Sequence, residues 1–232
     1  MLEILSFLQR RVLSIYWLVL LVHCLMLALH LPFIVVTKPM LMPLLLVYLL
    51  GRDNNIGRPP GKFIFYVGLF LALFGDVLMM YINDTFFLSG MIIFMIMNIC
   101  YAFSFLQLAS FRIRQPLALV VTAFLLFLAG YQFYVFMQYD LGQLATPVVV
   151  YMVFAGLMAL SAVNLTGDER FRHAATHYFI PGALIFLTEN ILMAINNFRH
   201  HDQPEMGLSI GVMVIYALAQ YLFVRGIERA YL

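Results

Sequence analysis

The sequence predicts an all-α, polytopic membrane protein with eight transmembrane helices. Composition is the first reason: of 232 residues, 64% are hydrophobic and only 10% charged, with a mean hydropathy of +0.97. A soluble domain carries about 25% charged residues. Patterning is the second, because the apolar residues fall in runs of about 20, the length that crosses a bilayer as a helix. These runs are too long, and alternate too little, to be the strands of a closed barrel.

The first span, 12–30, follows Arg10 and Arg11, and no small-x-small cleavage pattern comes after it. It reads as a retained helix rather than a removed signal. The second, 34–50, is short and carries Pro39 and Pro43, which predicts a kink or partial unwinding. The third, 62–82, begins at Lys62 and holds Asp76 near its middle. The fourth, fifth and sixth occupy 86–109, 117–137 and 145–163. The seventh, 177–197, contains Glu189, and the eighth runs over 206–226. The longest connector holds about a dozen residues, so 1–232 forms a single membrane domain without a soluble module or linker.

Basic residues orient the bundle. With the N-terminus inside, the inner segments hold Arg10, Arg11, Arg52, Arg58, Lys62, Arg112, Arg114, Arg170, Arg172, Arg225 and Arg229. The outer face holds Arg199, and Lys38 lies within the second span. This asymmetry predicts cytoplasmic termini and an even number of helices. The net charge of +2 reflects that sorting and implies no nucleic-acid partner. Membrane lipids are the expected surroundings. Cys24 and Cys100 both fall inside spans and read as packing residues, with neither a disulfide framework nor a metal cluster.

An internal match brings the acids together. LALFGDVLMMYIND (71–84) lies over LIFLTENILMAINN (184–197), setting Asp76 on Glu189, Met80 on Met193, Ile82 on Ile195 and Asn83 on Asn196. YAFSFL from Tyr101 matches YALAQYL from Tyr216 more loosely. The offset covers four spans, so a parallel 4+4 repeat is expected, with halves near 1–112 and 113–232. Depth gives the same grouping without the repeat. Asp76 lies fourteen residues past Lys62, roughly 21 Å into the bilayer, and Glu189 twelve past His177, roughly 18 Å. Lys38, entering from the outer side, reaches a similar level. Gly68, Ala72 and Asp76, continued by Met79 and Asn83, form one face; Gly182, Ile185, Glu189, Met193 and Asn196 form its counterpart.

A charge at the bilayer centre costs about 2.5–3.5 kcal/mol even on lenient scales. The least costly state of this layer has a charged Lys38, one carboxylate and one carboxylic acid. Such a pair supplies a proton donor and a base together. The alternatives are interhelical hydrogen-bonding glue and a proton or ion relay, and for Lys38, snorkelling to the surface. His173 and His177 in HAATH have i, i+4 spacing but no acid between them, and read as an interfacial pair. HHD (200–202) reads as a polar loop and His23 as a satisfied buried imidazole. No metal site or cofactor motif of the GxSxG, P-loop or GxGxxG type is present in the sequence.

TKPMLMPLLL (37–46), LFGDVLMM (73–80), YAF (101–103), PGALIFLTENILMAINNF (181–198) and YALAQYL (216–222) stand in an order and spacing that resembles the YhhN-like lysoplasmalogenase family. The resemblance implies an eight-helix hydrolase without a cofactor, expected in a bacterial inner (plasma) membrane. Its implied reaction cleaves the vinyl-ether bond of lysoplasmalogen-type lysophospholipids, releasing a fatty aldehyde and glycerophospho-ethanolamine or -choline. The family's two intramembrane acids correspond to Asp76 and Glu189, and its lysine before proline to Lys38. Its later polar positions correspond to Asn196, Tyr216 and Gln220, and Asn98, Tyr101 and Asn190 are further substrate-binding candidates. This chain departs from the family in two places: Thr188-Glu189 replaces Ser-Asp, and Asn98 stands where histidine is common. In the implied chemistry a general acid protonates the alkenyl carbon, and a second carboxylate stabilises the oxocarbenium ion and activates water. Asp76 is expected as the acid and Glu189 as the base, with the reverse assignment open. The rival classes are a transporter with a coupled acid pair and a lipid-binding membrane protein without hydrolase activity.

Overall fold

Apolar runs in this chain have no way to satisfy their backbone groups in hydrocarbon except within helices. The computed structural model describes residues 2–52, 60–81, 84–199 and 205–231. It comprises α1 (Leu2–Ala28), α2 (Ile34–Gly51), α3 (Pro60–Leu78), α4 (Asp84–Leu108), α5 (Pro116–Leu141), α6 (Ala145–Asn164), α7 (Glu169–Ala174), α8 (Ile180–Ala194) and α9 (Met206–Tyr231). No strand occurs among the described residues. Arg58, Ile82, Asn83 and the 200–202 loop lie outside the described residues, as does the side chain of Arg10.

Among the described residues, seven stretches are long and apolar enough to cross a membrane. One of them, Pro116–Gly167, contains both α5 and α6, joined by the 3-10 turn Gly142–Leu144. Gly142 has φ +50°, a conformation that a residue without Cβ adopts at no steric cost, and it ends α5. Pro116 opens α5, where its missing N–H removes no intrahelical bond. The ends of α1 and α4 are closed differently. His30 and Leu31 bond back to Leu27 and Met26, and Ser110 and Phe111 to Gln107 and Leu106. Both are Schellman closures, built on left-handed residues that are not glycine, His30 (φ 52°) and Ser110 (φ 54°).

Three expectations are adjusted. The second span stays helical through Pro39 and Pro43 over Ile34–Gly51 rather than unwinding. Each proline removes one intrahelical bond, and the buried Leu41, Met42 and Leu45 hold the helix between its neighbours. The third helix ends at Leu78, with Met79–Tyr81 already in a turn. The seventh span belongs to a longer helical run that starts at Glu169, where the Asp168 carboxylate caps Arg170 N–H at 3.1 Å. Within that run, π segments at Ala175–Phe179 and Ile195–Arg199 flank α8 on both sides.

The helices α1, α2, α3, α4, α6, α8 and α9 pack as a closed circuit, each touching the next, and α5 stands outside it against α6. Close approach is required where α3 meets α4: a methyl group on Gly68 would come 2.8 Å from the Tyr101 ring. The buried core is apolar and aromatic, while large side chains such as Leu117 and Val120 face outward, as a hydrocarbon solvent permits. One end of the bundle is tied by charge. Glu228 accepts from the Tyr48 hydroxyl at 2.8 Å, pairs with Arg225, and lies 3.7 Å from Arg52. Arg114, before α5, pairs with Asp168, before α7, at 3.2 Å. The opposite end carries the start of α2 and the end of α3.

Candidate active site

Lys38, in the second turn of α2, points toward α3, where Asp76 lies less than one turn from the helix end. Lys38 Nζ is 4.0 Å from Asp76 Oδ1, and the two side chains are 20% and 3% exposed. The Tyr216 hydroxyl, on α9, donates to Asp76 Oδ2 at 3.0 Å. Three separate helices therefore converge on one carboxylate. Phe94 meets the Tyr216 ring edge-on at 6.1 Å and closes one side. A buried acid with one cationic neighbour and one hydroxyl donor has much of its charge compensated.

Glu189 on α8 is buried and faces the same space. It has no hydrogen-bond or ion-pair partner among the described residues. Thr188 beside it turns outward and back-bonds to the Leu184 carbonyl at 2.9 Å. The cavity enclosed by these residues measures about 240 Å³ and is lined by His23, Lys38, Asp76, Glu189, Asn190, Asn196, Asn197, Ser209 and Tyr216 among others. His23 is the satisfied imidazole expected of it, with Nδ1 at 2.7 Å from Thr37 Oγ1.

Six of the candidates read from sequence thus border one cavity: Lys38, Asp76, Glu189, Asn190, Asn196 and Tyr216. They do not play equal parts in it. The Asn196 amide is committed at both ends, accepting from Glu205 N–H at 2.9 Å and donating to Ser209 Oγ at 2.9 Å, which fastens α9 to the preceding π segment. The other three candidates sit outside the lining. Tyr101 donates to Gln220 Oε1 at 2.8 Å, and both are fully buried in the packed interior. Asn98 is fully buried as well, and neither atom of its amide makes a hydrogen bond of good geometry.

Residues that sequence reasoning passed over line the cavity, as Asn197 and Ser209 do, or hold its lining in place, as Tyr151 does. Tyr151 on α6 donates to Asn190 Oδ1 at 2.7 Å, and Asn190 Nδ2 donates to the Phe186 carbonyl at 2.8 Å. The only available signal was a lone hydroxyl in the apolar run VVVYMVF, one of 13 tyrosines in the chain. Ser209 and Asn197 were equally silent. His173 and His177 stack at 4.3 Å on the exposed surface, away from the acids, with His177 Nδ1 3.0 Å from Thr176 Oγ1. No group of three or more His, Cys, Asp and Glu side chains gathers among the described residues.

Two carboxyls, one ammonium and a phenol around one cavity can hold, give and take a proton. Comparison with curated proteins and with solved structures found no match to this chain. A family model does match, over residues 33–227, a stretch that includes Lys38, Asp76, Glu189 and Tyr216. On that match the chain belongs to the YhhN family.

Proposed function

We propose that this protein is a membrane-embedded hydrolase that cleaves the vinyl-ether bond of lysoplasmalogen-type lysophospholipids. The observation that carries the reading is the meeting of Asp76 and Glu189 in one cavity, with Lys38 4.0 Å from only one of them. Family membership supports the same chemistry.

The unequal surroundings favour a division of labour that reverses the first expectation. Lys38 and Tyr216 both stabilise negative charge on Asp76. Glu189 makes no such contact and feels Lys38 only from beyond ion-pair distance, so it is the better carrier of a proton. Glu189 then protonates the alkenyl carbon distant from the ether oxygen, leaving an oxocarbenium ion at the carbon bonded to oxygen. The Asp76 carboxylate stabilises that cation and takes a proton from the attacking water. The hemiacetal collapses to a fatty aldehyde and the glycerol hydroxyl, so one water is consumed and no redox partner is required. Lys38, one-fifth exposed, is the cation placed to meet the head-group phosphate as well.

We further propose eight spans with both ends of the bundle's chain on the cytoplasmic side. A 52-residue apolar stretch is far longer than one crossing needs, and α5 and α6 pack against each other as a hairpin. Within the bundle α1 packs on α2, α3 on α4, α5 on α6 and α8 on α9, which is the pairing a 4+4 repeat requires.

The test is direct. Purified protein in detergent micelles is incubated with alkenyl lysophospho-ethanolamine and -choline, and released aldehyde is trapped as a hydrazone. Stoichiometric aldehyde and glycerophospho product are expected. Retention of lipid without aldehyde would instead identify a lipid-binding protein, and uptake in sealed vesicles without aldehyde a transporter.

A further inference from the structure

A second and larger cavity, of about 740 Å³, adjoins the acid pocket. It lies among α5, α6 and α8 with the start of α4, and its lining is aliphatic and aromatic. Met79, Asn190 and Met193 line both cavities and form the partition between them. Asn190 is a fixed post, held by Tyr151 at 2.7 Å and by the Phe186 carbonyl at 2.8 Å. The two methionines beside it are unbranched and adaptable.

The size and position of this space identify what it fits. A volume of 740 Å³ is that of a single small-molecule site, within the usual range of about 300–1,000 Å³. Along α6 its lining runs from Ala145 to Leu160, about 22 Å at 1.5 Å per residue. One leaflet of the hydrocarbon core is roughly 15 Å deep, so the cavity accommodates the length of one lipid tail. It is also open sideways. Outside the helix circuit, α5 rests on α6 and on the π segment Ile195–Arg199, where the Arg199 guanidinium lies 4.5 Å from the Phe136 ring. Phe127 and Tyr131 line the cavity and are 68% and 56% exposed, so it reaches the surface turned to the bilayer.

We propose that this cavity is the tail subsite: one hydrocarbon chain of a single-chain lipid enters beside α5, lies along α6, and delivers its ether end to Asp76 and Glu189 past Met79, Asn190 and Met193. The inference rests on the reading of the acid pocket as a lipid-ether site. A tail moving here exchanges one hydrocarbon setting for another, so transfer free energy contributes little. The subsite therefore selects by length and shape rather than by apolarity.

Gly156 lies on the Leu160 side of the Tyr151–Asn190 post. A methyl group there would stand 3.9 Å from Leu126 Cδ1, an ordinary contact, whereas a phenyl ring would fill the space. Gly156→Phe is expected to lower kcat/KM for an octadecenyl substrate by about tenfold or more and to leave an octenyl substrate within about twofold. Equal losses on long and short chains in a folded variant would overturn the proposal.

A second measurement does not depend on turnover or on the variant folding. Wild-type protein in bilayers is irradiated with a non-hydrolysable alkyl lysophosphoethanolamine carrying a diazirine at its chain end, and labelled residues are mapped. Labelling at Leu126, Ala155 and Leu160, which line the cavity and are not exposed, is expected. Labelling confined to outward positions such as Leu18, Leu21 and Leu117 would mean bulk lipid contact and sink the tail subsite, even if aldehyde is released. Cavity labelling in a protein that releases no aldehyde would keep the subsite and reject the hydrolase reading.

Discussion

Lys38→Met removes the cation from beside Asp76 while keeping an unbranched apolar stem. At 4.0 Å, an ion pair in an effective dielectric of about 20 interacts by about 4 kcal/mol. The Lys38 side chain is 20% exposed, so water screens part of this, and about 2 kcal/mol of net coupling is expected. For a chain of this size each kcal/mol moves Tm by about 2–4 °C, so the single variant should melt about 4–8 °C lower. Adding Asp76→Asn removes the stranded charge, and most of that loss should return, because deleting both members of a buried pair costs far less than deleting one. Thermal unfolding of wild type, both singles and the double variant in one detergent closes the cycle. A coupling below about 0.5 kcal/mol would show that the two residues act independently. The assignment of charge to Asp76, and with it the division of roles between the acids, would then fall.

The acids themselves give a second test: Asp76→Asn and Glu189→Gln should each fold and each lose about 10²–10⁴-fold in aldehyde release, with the double variant scarcely worse than either single. Near wild-type turnover in either folded single would remove that acid from catalysis and overturn the paired mechanism. Tyr216→Phe keeps the ring against Phe94 but deletes the hydroxyl at 3.0 Å from Asp76; a hydrogen bond to a charged group is worth about 1.5–3 kcal/mol, so activity should fall at least about tenfold. An unchanged rate would make that bond incidental. Reporter fusions should place the 51–61 and 164–176 segments inside and the 198–205 segment outside, and an opposite result for 51–61 would invert the bundle.

The parts of the site that could be read from sequence were those that a helix converts into geometry. A fixed rise per residue turns the interval from Lys62 to Asp76, and from His177 to Glu189, into depth, and both acids do border one cavity with Lys38. Side-to-side neighbours are another matter. The Tyr151–Asn190 bond depends on α6 lying against α8, and no periodicity within either helix specifies that contact. Tyr101 and Gln220 matched the polar pattern, yet they satisfy each other in the packed interior and leave the cavity to Tyr216. The π segments around α8 were invisible for a related reason: each is only five residues long, too short for a changed period to register in the residue pattern. The unwinding expected of the proline-bearing second helix did not follow, because its intrinsic weakness is local, whereas the packing that holds it comes from elsewhere in the chain.

The ion pair at Asp76 also bears on how the chain is made. Lys38 and Asp76 sit on consecutive helices that pack together, and at about 5–20 residues per second the second emerges roughly 2–8 s after the first. The translocon therefore receives a hairpin whose acid already has its countercharge, which lowers the penalty of about 2.5–3.5 kcal/mol for a lone carboxylate in the membrane. Tyr216 follows 140 residues after Asp76, roughly 7–28 s later at the same rate. For that interval Lys38 alone guards the nascent acid, so loss of this one lysine should show first as poor insertion and degradation of newly made chains, before any enzyme is assayed.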